Sequence, residues 1–173
     1  MEKEALAYPL GDDDIHEVLP NVKIMSYPSL AGMRSIDQCF DKEGRSIILF
    51  PNMSPTMGHW CCMIKRPDSI EFFDPYGEAP EEQKGGMSET RLEELNIDRP
   101  YLTRLMRNSG LPIYYNNHPF QSSRGSVATC GRHCAMRLYF KDLSLEEYAN
   151  VIKKSGLTPD QFVVGATYDT VQK

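Results

Sequence analysis

The fold turns on His59-Trp60-Cys61-Cys62-Met63-Ile64-Lys65-Arg66-Pro67-Asp68-Ser69-Ile70-Glu71-Phe72-Phe73-Asp74. Apolar and aromatic residues flank Arg66-Pro67-Asp68-Ser69. Proline, with its fixed φ, suits the second position of a tight turn, so the segment predicts a β-hairpin. Pairing Arg66 with Ser69 sets His59 opposite Tyr76, and a pairing two residues tighter sets it opposite Asp74. Side chains alternate faces with period two, so in either register His59 and Asp74 share a face. Adjacent strands would then hold a base and an acid able to orient it within reach of each other.

Upstream of the hairpin, residues 46–50 form a compact apolar run that predicts a buried strand stopping at Pro51. Residues 22–27 suit another strand. Residues 12–19 read as a short helix with Asp12-Asp13-Asp14 at its positive end, and Ser35-Ile36-Asp37-Gln38 has the pattern of a capping box. Downstream, residues 78–110 are the most polar part of the chain and carry Gly85-Gly86. They predict a mobile surface loop followed by helical pieces around 91–95 and 99–106. Residues 112–117 read as a strand and 130–140 as a helix with Cys134 and Leu138 on its inward face. Ser144 with Glu147 opens the next helix, Gly156 closes it, and Thr158-Pro159 opens the last. The expected fold class is α+β: a small mixed sheet packed against helices, with Cys130 at a helix N-terminus.

The 173 residues fit one domain, residues 1–173, with a core large enough to need no staples. A net charge of -5 and a pI near 5.4 argue against a broad nucleic-acid footprint, which needs clustered Lys and Arg. No apolar run reaches the roughly 20 residues of a membrane span, and Met1-Glu2-Lys3-Glu4 does not open a secretory signal. The odd set Cys39, Cys61, Cys62, Cys130 and Cys134 fits free thiols in a reducing interior better than a disulfide framework.

Cys130 lies where a segment rich in small residues, 122–129, meets a helix. Backbone N–H groups and the helix dipole there stabilise an anion, lower a thiol pKa and can form part of an oxyanion pocket. Gly131 beside it would let a substrate backbone approach. Taken singly, Cys130 also reads as a small core residue, His59 as a core or surface histidine, and Asp74 as a turn residue. Their conjunction supplies nucleophile, base and orienter. A zinc reading of Cys61, Cys62, Cys130, Cys134, His59 and His133 is disfavoured, because adjacent cysteines on a strand point to opposite faces and Cys130 and Cys134 make a weak ligand pattern. No metal or cofactor is expected.

Gly58-His59-Trp60, Phe73-Asp74-Pro75-Tyr76-Gly77 and the stretch from Gln121 to Cys130-Gly131 resemble the signature blocks of the adenovirus-protease and SUMO-protease group of cysteine proteases. The resemblance covers about residues 47–140 and extends to the maturation proteases of adenoviruses, large DNA viruses and virophages. It implies that His59 is general base and acid, Asp74 its orienter, Cys130 the nucleophile and Gln121 an oxyanion donor. Trp60 would lie beside the catalytic ring at the substrate channel, or else be a core aromatic on the opposite strand face. In the family the glutamine lies closer to the nucleophile than the nine residues between Gln121 and Cys130, a spacing at which Arg124 stands as rival donor.

The resemblance further implies a thiol endopeptidase cutting viral capsid or core precursors after small residues such as glycine, in the virion and the host cytoplasm. The acidic charge argues against the DNA activator known in the group, and a monomer acting on protein substrates is expected. A protease that removes a ubiquitin-like modifier is the alternative, with an acetyltransferase using a related triad more remote. A non-catalytic capsid module is the reading from a different class.

Overall fold

The structure is a computed structural model that describes residues 2–171. Its centre is a five-stranded mixed sheet in chain order: β1 (Lys23–Ser26), β2 (Arg45–Ser54), β3 (Met57–Arg66), β4 (Ser69–Phe73) and β5 (Ile113–Tyr115). The outer pairs β1–β2 and β4–β5 are parallel, and the inner pairs β2–β3 and β3–β4 are antiparallel. Seven helices surround it: α1 (Glu2–Ala7), α2 (Asp12–Val18), α3 (Glu89–Glu94), α4 (Tyr101–Ser109), α5 (Cys130–Tyr139), α6 (Leu145–Ser155) and α7 (Pro159–Val171). The fold is α+β, a mixed sheet packed against helices.

The sheet is buried on both faces. Along β2, Ile47 and Leu49 enter one core while Ile48 and Phe50 enter the other, and along β3 Trp60, Cys62 and Ile64 part from Cys61 and Met63 in the same way. The first core is completed from α2, α5, α6 and α7 by Ile15, Cys134, Leu138, Tyr148, Ile152 and Val163. The second is completed by Tyr27, Leu30 and Ile36 of the β1–β2 crossover and by Leu102, Leu105 and Met106 of α4. Continuous apolar runs are what a two-sided sheet requires of its central strands.

The hairpin adopts the first of the two registers, with Arg66 opposite Ser69 and Cys62 opposite Phe73. The capping boxes at Ser35/Gln38 and Ser144/Glu147 form, and Gly156 ends α6 in the left-handed region at φ 74. Three expectations are corrected. β2 does not stop at Pro51 but runs to Ser54 through a register shift. β1 ends opposite Leu49, so at Pro51 the strand has a neighbour on one side only, where a missing N–H is tolerated. The strand at 112–117 shrinks to Ile113–Tyr115, and α1 was not anticipated at all. α1 packs on α7 and offers the Leu6 carbonyl to the Ala128 N–H at 2.8 Å, so the chain's start fastens the loop leading to Cys130.

Candidate active site

The β3–β4 ladder ends at Cys62 opposite Phe73, and just beyond that end the sequence-predicted residues meet. Asp74 is fully buried and held from several sides. Its N–H donates to Asn116 Oδ1 at 2.9 Å, its Oδ1 accepts from the Tyr76 N–H at 2.7 Å, and its Oδ2 accepts from Gln83 Nε2 at 2.7 Å. The remaining reach of Oδ1 goes to His59 Nε2, also at 2.7 Å. A carboxylate only accepts, so Nε2 carries the proton and Nδ1 is left for a thiol. Tyr76 stacks on the imidazole with ring centroids 4.8 Å apart. The turn that delivers these groups closes through Gly77, at φ 79; a Cβ there would also lie 2.5 Å from the His118 carbonyl carbon.

Cys130 begins α5, and Cys134 one turn later donates its thiol to the Trp60 carbonyl at 3.4 Å, tying the helix start to β3 beside His59. Thr129 stands where a capping side chain would, yet its hydroxyl donates to Asp160 Oδ1 at 2.6 Å and caps nothing. The N–H groups of the first turn are therefore not consumed by a cap. Burial alone would push the Cys130 thiol up. The hydrogen bond and charge of His59, with backbone hydrogen bonds from Trp60 and Gly131, outweigh burial and bring the thiol below its usual range.

The ring is moved the other way. Burial favours neutral imidazole, but hydrogen bonds to Asp74, Cys130 and Cys61 raise His59 well above the ordinary value. Cys61 is itself buried, which raises its thiol and keeps it protonated at neutral pH. The anions that sustain an imidazolium are thus Asp74 and Cys130. Both shifts run toward the same charge separation, thiolate on Cys130 and imidazolium on His59.

Cys130, His59, Trp60, Tyr76 and Gln121 line one cleft of about 450 Å³, bounded by Leu10 on one side and by Met53 and Met57 of the β2–β3 hairpin on the other. Trp60 answers to both sequence readings: it is buried in the first core with Nε1 donating to the Leu10 carbonyl at 2.9 Å, and it also walls the cleft beside Cys130. Gly131 lies behind that wall, where a Cβ would meet Leu10 at 3.0 Å and Trp60 at 3.3 Å. Gln121 is buried with Nε2 donating to the Val127 carbonyl at 3.3 Å, whereas Arg124 is exposed and stands outside the lining.

Over 164 residues, 91% of this chain and 93% of the other, the sequence is 35% identical to uncharacterized protein V9 of the Sputnik virophage. The chain belongs to the V9 family. No family model matches it. No helix among the described residues is long and apolar enough to cross a membrane.

Four supports in this V9 family member escaped the sequence reading. Gln83 and Asn116 fix Asp74, and Leu10 fixes Trp60. The fourth, Asp160 at the start of α7, accepts from the Ser122 N–H (3.0 Å), the Thr129 hydroxyl (2.6 Å) and His133 Nε2 (3.0 Å), so one carboxylate pins both ends of the 122–129 loop. His133 is neutral there, because burial outweighs the pull of Asp160. Only the acid in the first turn after Thr158-Pro159 hinted at this, and it reads equally well as a helix-end charge.

Proposed function

We propose that this chain is a cysteine endopeptidase of the adenovirus-protease type, with His59, Asp74 and Cys130 as its triad. The observation that carries the reading is the 2.7 Å bond from His59 Nε2 to the buried Asp74 carboxylate while the same ring holds the Cys130 thiol below its usual range at a helix start. In the first step the Cys130 sulfur adds to the substrate carbonyl. The oxyanion faces the N–H groups opening α5 and the Gln121 amide, once that amide swings from Val127. His59 gives its proton to the leaving amine, the C–N bond breaks and a thioester remains. His59 then takes a proton from water, whose oxygen attacks the thioester; the C–S bond breaks, the sulfur leaves as thiolate, and the proton stays on His59, which restores the starting pair as the acid product departs.

The substrates are capsid or core precursors of a virophage-like particle, cut after a small residue. Leu10, Trp60 and His59 crowd the cleft beside the sulfur, which supports a narrow entry suited to glycine. Kinship with a virophage protein supports the setting. The test is incubation of the purified chain with the particle's structural proteins and sequencing of new termini. Cleavage after small residues, lost in Cys130→Ala with unchanged circular dichroism, is expected; cleavage that survives the substitution would refute the assignment. Labelling by a ubiquitin-like modifier bearing a C-terminal electrophile, with no cleavage of structural proteins, would redirect the same chemistry to deconjugation.

A further inference from the structure

The triad leaves one reactive side chain at its centre without a task. Cys61 follows His59 by two residues on β3 and so shares its face, and in the Arg66–Ser69 register it falls opposite Asp74. A ring nitrogen of His59, the Cys61 sulfur and an oxygen of Asp74 all lie within 4.8 Å of one another. The adjacent Cys62 points into the other core, where it packs with Cys134 among apolar side chains and meets neither imidazole nor carboxylate. Packing alone would be served at 61 by any small apolar residue. A thiol there completes a donor set.

Imidazole, thiolate and carboxylate together are the ligands of zinc, and a sulfur donor excludes preference for magnesium or calcium. Zinc bonds of about 2.0–2.3 Å separate tetrahedral ligand atoms by about 3.5 Å, so the imidazole and carboxylate, now 2.7 Å apart, open by somewhat less than about 1 Å while the widest separation in the set, up to 4.8 Å, closes by about 1 Å. Three protein ligands leave the fourth tetrahedral position to water. We infer that His59, Cys61 and Asp74 form an inhibitory Zn²⁺ site inside the triad. The ion replaces the proton shared between His59 Nε2 and Asp74, so that this ring proton and the Cys61 S–H proton both pass to solvent while Zn–N, Zn–O and Zn–S bonds form. Base and orienter are then sequestered together, and removal of the ion restores them. The arrangement deepens the proposed function, but the binding does not depend on it.

Binding is measured on the full chain carrying Cys130→Ala, which removes any nucleophile, by competition with a chromophoric zinc chelator. One equivalent of Zn²⁺ is expected, with affinity falling at least tenfold on adding Cys61→Ala or Asp74→Asn and unchanged on adding Cys62→Ala. Cobalt should give a thiolate charge-transfer band that disappears with Cys61→Ala. Should that variant fail to fold, Cys61→Ser serves in its place. Absence of stoichiometric binding, or binding indifferent to residue 61, overturns the site. In the wild-type chain zinc should block peptide cleavage reversibly, and Cys61→Ala, measured against its own zinc-free rate, should lose at least tenfold in zinc sensitivity. If no peptide is cleaved but zinc still binds through Cys61, the protease reading fails and the metal site stands.

Discussion

Replacing Asp160 by alanine should cost this protein about 4 kcal/mol of stability. The carboxylate is 10% exposed and accepts three hydrogen bonds, from the Ser122 N–H, the Thr129 hydroxyl and His133 Nε2. Thr129 and His133 are completely buried, so each would keep a donor with no water to satisfy it, about 1–2 kcal/mol apiece. Ser122 is partly exposed and can turn to solvent, so its loss is smaller, and the acid's favourable place in the first turn of α7 adds about 0.5 kcal/mol. In a chain of 173 residues this lowers the melting temperature by roughly 8–16 °C. The assay is urea unfolding followed by circular dichroism in a Cys130→Ala background, comparing Asp160→Ala with Thr129→Val, which removes one bond and should cost about 1–2 kcal/mol. The pH dependence has a definite sign. Burial would raise the Asp160 carboxyl, but bonds from His133, Thr129 and Ser122 hold it below its usual value. Its contribution is therefore complete above the unfolded pKa of about 3.9 and is lost as pH falls through the lower folded value, so the gap between the two proteins should narrow only as pH drops below the unfolded value. A loss under about 1 kcal/mol at pH 7 with an unchanged denaturant slope would refute the claim that this carboxylate holds the loop.

Other expectations concern the site itself. Alkylation of Cys130 by iodoacetamide should reach its plateau below the ordinary thiol pKa of about 8.5, and His59→Gln should move the curve upward; coincident curves would dismiss the ion pair. Peptide hydrolysis should rise through the lowered Cys130 titration and fall again through the raised one of His59, a bell whose alkaline limb is absent if His59 titrates normally. Gln83→Ala frees Asp74 Oδ2 and should lower kcat about tenfold, the equivalent of one hydrogen bond, with KM unchanged; an equal rise in KM would mean the strap bearing Gln83 shapes binding instead. Gly58→Ala would place a Cβ 1.9 Å from the Phe50 carbonyl oxygen, so urea unfolding should show the β2–β3 hairpin destabilised by about 2–3 kcal/mol; a neutral outcome would contradict the strand spacing.

What could be read from the sequence was local. The hairpin and the shared face of His59 and Asp74 follow from one turn and a period of two, although two registers stayed open until the fold chose Arg66 opposite Ser69, and the caps at Ser35 and Ser144 involve residues three apart. His59, Asp74 and Cys130 were legible because their blocks resemble a family with that order. Gln83, Asn116 and Asp160 were not, since each acts across 9, 42 or 27–38 residues through geometry that only the packed chain creates. The strap bearing Gln83 looked like polar loop because its anchor, Glu81 at φ 81, meets Tyr27 at 2.6 Å and the Thr103 N–H at 2.9 Å, contacts with no signal in local periodicity. The β2 boundary went wrong for a related reason: proline ends a strand only if both its neighbours are strands, and β1 was already spent.

The site also joins two cores that are otherwise separated by the sheet. His59 shares its face with Cys61 and Met63 of the second core, whereas Cys130 and Trp60 belong to the first. Base and nucleophile can meet only past Cys62, where the β3–β4 ladder ends and the chain turns away at Asp74-Pro75. The Pro75 carbonyl there accepts from both the Phe120 and Gln121 N–H groups, at 2.8 and 2.9 Å, which brings the loop that starts at Gln121 to the same opening. Asp160 holds that loop from the first core, and Gln83 holds Asp74 from the second. The His59–Cys130 distance is thus fixed by two layers at once. Loosening either layer should raise the thiol pKa without touching any triad residue, an effect that one rigid scaffold under the whole site would not produce.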